Sequence, residues 1–155
     1  MCSSDLTKVA VRLGDAAWKE LLARHNEGVR IQLDRFRGVE VYTTGDGFLA
    51  FFDGAARAVR CAAAVREGAL QDGLRIRAGV HSGEVERDAG NLRGVAVHAV
   101  TRIAALANPG DVLVSAPTAS LLEGAGLQLE DAGEHELKGL AGARRVYRLI
   151  GLATD

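Results

Sequence analysis

The chain has 155 residues with 19 basic and 20 acidic side chains, and its net charge of −1 gives it no general hold on nucleic acid or an anionic membrane. It is long enough for one domain with a real core, and no apolar run approaches the length of a membrane span. Two cysteines, Cys2 and Cys61, are too few for a disulfide framework or a zinc site, and no secretory signal pattern opens the chain, so a cytoplasmic domain is expected.

Residues 1–6, Met1-Cys-Ser-Ser-Asp-Leu6, differ in character from the rest of the chain. Back-translated from a GTG start, they match the end of a common sequencing-library adapter. They are expected to be a non-native start, with the gene cut near Thr7, which leaves Asp5 a poor candidate for any role. Asp15 is placed to cap a helix in which Trp18, Leu22, His25, Val29, Leu33 and Phe36 recur at steps of three and four, ending at Gly38. Residues 39–52 alternate with period two around Gly45-Asp46-Gly47, the pattern of a hairpin. Asp53-Gly54 leads into an alanine-rich helix over about 55–69, where Cys61 reads as a buried, inert thiol.

Residues 74–85 read as a strand, with Ile76, Ala78 and Val80 on one face and Arg75, Arg77 and His81 on the other. A polar loop is expected over 87–93, then a helix over 95–106 that stops before Asn108-Pro-Gly110. An apolar strand at 111–115, a short helix opening at Ala116-Pro-Thr118 and two strands near 128–137 and 145–150 complete residues 7–150, with 151–155 as a tail. No internal repeat or linker divides the chain, and the order of elements predicts an α+β fold.

A carboxylate at a hairpin tip between two glycines can approach phosphate-bound metal without side-chain obstruction, although Gly-Asp-Gly alone is an ordinary turn. His98 and Arg102, four apart on a helix, share one face. The ordered set Thr43-Thr-Gly-Asp-Gly-Phe-Leu-Ala50, His81-Ser-Gly-Glu84, His98 with Arg102, and Leu137-Lys-Gly139 resembles the catalytic domain of class III nucleotidyl cyclases. The resemblance covers nearly all of residues 7–150.

It implies a ferredoxin-like antiparallel sheet covered by helices and an enzyme that turns a nucleoside triphosphate into a 3′,5′-cyclic nucleotide and pyrophosphate, in intracellular signalling. The fold resembled begins with a strand, and this chain is expected to lack it. Losing an interior strand would leave backbone groups unpaired in the core, so the chain should fold poorly.

On the resemblance, Asp46 is one of two metal ligands for Mg2+ or Mn2+. The other aspartate belongs to the absent strand; Cys2 stands in its place and is unsuited to a hard ion, leaving half a metal site. Arg102 stabilises the pentavalent transition state and His98 orients the ribose. Lys138 grips the triphosphate, and Phe48 with the backbone after the turn cradles phosphate. His81 and Glu84 belong to the signature, and His81 has no chemical role. Tyr42 and Asn91 stand where the base is read but match neither the lysine with aspartate or threonine of adenylyl cyclases nor the glutamate and small residue of guanylyl cyclases. ATP is the expected nucleotide.

Such enzymes build their two sites between two chains, so a homodimer is expected. The alternative is a catalytically degenerate cyclase-homology domain that dimerises or binds nucleotide as a regulatory module. A diguanylate cyclase is disfavoured because Gly45-Asp-Gly-Phe48 lacks that family's paired acids, and a purely structural interaction domain is a further rival.

Overall fold

The first long helix shows how the sequence builds the fold. In α1 (Asp15–Arg35) Leu21, His25, Val29 and Leu33 form a buried stripe, with Trp18, Leu22 and Phe36 partly buried beside it. Gly14, not Asp15, holds the N-cap, with a φ of 79° that suits glycine. Asp15 lies one residue inside, where its charge faces the positive end of the helix. At the other end the Gly38 N–H donates to Leu33 O at 2.7 Å, after Arg37 has turned the chain with a φ of 60°.

The structure, a computed structural model, describes residues 2–4, 14–44, 47–83, 86–88, 91–93, 95–136 and 142–152. At 2–4, 42–44, 86–88, 91–93, 95–96 and 152 only the backbone is described. The remaining elements are β1 (Cys2–Ser4), β2 (Val39–Thr44), β3 (Gly47–Phe51), α2 (Ala55–Gln71), β4 (Ile76–Val80), β5 (Glu86–Asp88), β6 (Asn91–Arg93), α3 (Val95–Leu106), β7 (Val112–Ser115), α4 (Ala116–Leu121), β8 (Leu127–Glu136) and β9 (Ala143–Leu152).

Among the described residues seven strands form one sheet in the order β2-β3-β1-β4-β7-β9-β8. The first four, with α1 and α2 as crossovers, make the ferredoxin-like core, and all three of its pairings are antiparallel. β4 then pairs with β7 in parallel, so the whole sheet is mixed. The fold is α+β as expected.

Three further expectations are corrected. The first strand is present in short form: Cys2–Ser4 lies in the interior of the sheet, with Cys2 opposite both Phe48 and Ala78. Main-chain groups that any residue supplies are enough for that pairing. The expected polar loop at 87–93 holds instead the hairpin β5–β6, paired from Glu86↔Arg93 to Asp88↔Asn91. The expected tail begins within β9, which runs on to Leu152.

Alternation sorts side chains to the two faces. Phe48 and Ile76 pack among α1 and α2, and Val59, Ala63, Ala78, Val80, Val112 and Val114 continue that core under α2 and α4. α3 covers the opposite face, where Ile103 and Ala107 meet Leu113 and Val146. Gly79 lets α3 come close, since a Cβ there would stand 2.6 Å from the Ala104 nitrogen.

β3 and β4 both continue past the level of Cys2, and a cavity of about 350 Å³ lies between them. At the far side of the sheet β8 is an outer strand with Gln128, Glu130, Asp131, Glu134 and Glu136 exposed. Arg148 donates to Glu130 at 2.6 Å and to Asp111 at 3.0 Å, and Arg145 bonds Asp131 and Glu134.

Candidate functional site

The β2–β3 hairpin closes with Thr44 opposite Gly47, and Asp46 at its tip lies outside the described residues. Phe48 follows on β3 and is 4% exposed, its ring packed in the core with the Arg30 guanidinium 5.5 Å from the ring centre. Any contact of Phe48 with a ligand at the hairpin must therefore come from its backbone. Cys2 lies directly across from Phe48, two positions along β3 from the tip. Cysteine, at the position where the resemblance expects the second metal aspartate, offers a thiol unsuited to a hard ion. Among the described residues no group of three or more His, Cys, Asp and Glu side chains gathers to hold a metal.

α3 positions the second half of the candidate site. Ala99, Val100, Ile103 and Ala104 are buried against the sheet, which leaves His98 and Arg102 exposed on the outward face, one turn apart. α3 lies over β4 and β7, whereas the hairpin is β2–β3, on the other side of β1. One copy of the chain thus keeps Arg102 apart from the hairpin. The guanidinium is presented to solvent or to another molecule.

The structure locates two further candidates by backbone alone. Tyr42 lies in β2 opposite Leu49, just after a register shift, and Asn91 lies in β6 opposite Asp88; their side chains fall outside the described residues. Lys138 and Glu84 also fall outside the described residues.

A polar network that sequence reasoning missed sits at the carboxyl end of β4. His81 Nδ1 and Ser115 Oγ are 2.7 Å apart, Ser115 Oγ is 2.9 Å from Thr118 Oγ1, and Thr118 Oγ1 is 3.0 Å from Ser82 Oγ. Ser115 also caps α4 by accepting the Thr118 N–H at 3.5 Å. The signal present in the sequence was a serine just before Ala116-Pro117-Thr118, a helix-start pattern. Burial, then the nearby positive charge of Arg144, lowers the His81 pKa and favours the neutral ring. Burial likewise lowers the pKa of His25, against the opposing pull of Asp72. It also pushes the Cys61 thiol up to about 11, so Cys61 is the inert buried thiol expected.

No protein-family model matches the chain. An uncharacterized protein of Mycobacterium tuberculosis is 32% identical over 152 residues, covering 96% of this chain and 50% of that protein. A Rhizobium meliloti protein provisionally named adenylate cyclase 3 is 33% identical over 129 residues, covering 77% of this chain and 22% of that protein. The chain therefore spans half or less of these relatives. The adenylyl cyclase CyaB of P. aeruginosa superposes with a TM-score of 0.86 at 20% identity, over 97% of this chain and 91% of that one. The guanylate cyclase domain of RhGC from Catenaria anguillulae, solved with GTP, gives 0.81 at 20% identity, over 97% and 93%. Among the described residues no helix is long and apolar enough to cross a membrane. The chain has the fold of the class III adenylate and guanylate cyclase domain.

Proposed function

We propose that this chain is a class III nucleotidyl cyclase domain, acting as a homodimer on a nucleoside triphosphate, with ATP as substrate, in cytoplasmic signalling. The observation that carries the proposal is the outward pair His98 and Arg102 on a helix of this fold, set apart from the hairpin that bears Asp46. A partner copy would bring the two halves together.

In the reaction the 3′-hydroxyl oxygen bonds to the α-phosphorus, the hydroxyl proton is lost, and the bond to the β-phosphate breaks to release pyrophosphate. Arg102 is assigned to the charge that gathers on the α-phosphoryl oxygens, because a guanidinium stays charged and its fork matches phosphate geometry. His98 is assigned to the ribose, Lys138 to the triphosphate, the Phe48 backbone to phosphate, and Tyr42 with Asn91 to the base. Asp46 is the carboxylate assigned to Mg2+ or Mn2+. With cysteine in place of the second aspartate that the resemblance expects, the chain is expected to hold such ions poorly.

That mismatch favours a second reading, a cyclase-homology module that binds nucleotide or dimerises without turnover. One experiment separates the readings. The purified chain and its Cys2→Asp variant are incubated with ATP or GTP and Mg2+ or Mn2+, while cyclic product and nucleotide binding are measured. Cyclic product from Cys2→Asp, abolished by adding Arg102→Ala, supports the enzyme. Nucleotide binding with no product from either form supports the regulatory module. Absence of both binding and product overturns the nucleotide assignment altogether.

A further inference from the structure

A second cavity, of about 290 Å³, opens between α1 and α2. Gly28 of α1 and Gly68 of α2 both line it, and a Cβ added to either would meet nothing within 4 Å. Inside a helix glycine is among the least favourable residues, and here no close approach requires it. Its effect at both places is to keep the cleft clear.

Two polar side chains of α1 line the same space without partners. His25 and Gln32 stand two helical turns apart, and so on one face of α1. His25 is 6% exposed, and among the described residues no hydrogen bond holds its ring. Gln32 Oε1 is buried and, among the described residues, accepts no hydrogen bond. Polar atoms in this state are rare in folded proteins, because leaving them unpaired forfeits their hydration with nothing in return. Burial lowers the His25 pKa, so the ring is neutral near neutral pH and one of its nitrogens is an acceptor. Both groups call for a donor.

The charge around the cleft narrows the occupant. Glu27 and Asp72 bring two carboxylates, against one guanidinium from Arg24, 3.7 Å from Asp72. Asp72 is also the C-cap of α2, so the negative end of that helix lies at the cleft. An anion would meet two like charges and two acceptors there. A bare metal ion would find too few ligands, since among the described residues no group of three His, Cys, Asp or Glu side chains gathers. The volume is roughly twice the 150 Å³ that holds a benzene ring, enough for a ring with a polar head.

We propose that this cleft binds a small planar organic cation, an amidinium or guanidinium, whose N–H groups donate to Gln32 Oε1 and the His25 ring. Its flat face lies over the bare backbone at Gly28 and Gly68, and its charge is set against Glu27 and Asp72. None of the residues assigned to the nucleotide takes part, so cleft binding and nucleotide chemistry can fail separately.

Benzamidine and its anionic isostere benzoate are the probes. Thermal melts and the ring-proton NMR signals of the four histidines are recorded with each. Benzamidine is expected to raise Tm saturably and to move the His25 signals, leaving those of His81, His98 and His135 in place. Benzoate should do neither. Gln32→Leu removes the acceptor and should weaken benzamidine binding about tenfold. Gly68→Leu fills the cleft from a position with open space and should abolish binding. Each variant's own melt shows whether it is folded, and either one suffices if the other is not. An equal response to benzoate, binding unchanged in the folded variants, or no saturable response to benzamidine overturns the proposal.

Discussion

His81 Nδ1 stands 2.7 Å from Ser115 Oγ and thereby ties the carboxyl end of β4 to the first turn of α4, across 34 residues of sequence. Ser115 is 4% exposed and serves at once as partner of the imidazole, partner of the Thr118 hydroxyl and helix cap. Ser115→Ala removes all three roles and is expected to destabilise the fold by about 1–2 kcal/mol for the cap alone, with a further cost for the polar groups left unpaired. Urea unfolding measures it, and Ser115→Thr should restore much of the loss. An alanine variant as stable as the parent would show that the network carries no weight.

One buried histidine, His25, and one half-buried, His81, make stability depend on mild acid. His25 and His81 both have folded-state pKa values lowered from the ordinary 6.5, chiefly by burial. The unfolded chain then binds protons that the folded chain refuses, so stability rises with pH in this range. Their contribution is complete above about pH 6.5 and falls as pH drops through the lowered folded values. Tm recorded between pH 7.5 and pH 5 should decline, and His25→Gln should flatten part of the decline. A Tm independent of pH across that window would contradict the assignment.

Gly79 is predicted to tolerate no side chain. The added Cβ of Gly79→Ala would meet the Ala104 nitrogen at 2.6 Å and the Val100 carbonyl oxygen at 3.0 Å, both backbone atoms of α3. Overpacking of this kind costs about 1–3 kcal/mol. Thermal melts of the variant check the value. Gly68→Ala, on α2 with open space around the new methyl, is the control and should be neutral or slightly stabilising.

Arg102 and Asp46 are predicted to act from opposite chains. In the Cys2→Asp background, Arg102→Ala and Asp46→Ala should each abolish cyclic product, while Arg102→Ala leaves Tm unchanged because the side chain is exposed. Mixing the two inactive variants should restore activity, since a mixed dimer retains one site with both residues. Failure of the mixture to recover any turnover would count against a shared site.

How much of this was legible in the sequence depended on where the side chains point. α3 was readable because Ala99, Val100, Ile103 and Ala104 set a helical period that leaves His98 and Arg102 outside, and the structure begins and ends it at residues 95 and 106 as expected. β1 was not readable, because Cys2-Ser3-Ser4 carries no apolar pattern and is a strand only through backbone pairing with β3 and β4. β5 and β6 were missed for the same reason: their composition is polar, and pairing across the hairpin defines them. The His81–Ser115 contact joins residues remote in sequence, so only the parallel pairing of β4 with β7 reveals it. On the candidate site, sequence supplied the face occupied by Arg102, whereas its separation from the hairpin came from strand order.

The exposed rim of β8 has a bearing on how the protein behaves when concentrated. Among the described residues no strand pairs with its outer edge, whose backbone groups another sheet could extend, yet Glu130, Asp131, Glu134 and Glu136 stud the strand. An incoming strand would have to strip water from those carboxylates, a cost that discourages fibre growth and gelling at neutral pH. Asp131 keeps its charge below the usual carboxylate range, held there by the Gly133 N–H and by Arg145. Strong acid, by neutralising this rim, is the condition under which the dissolved protein should begin to cloud.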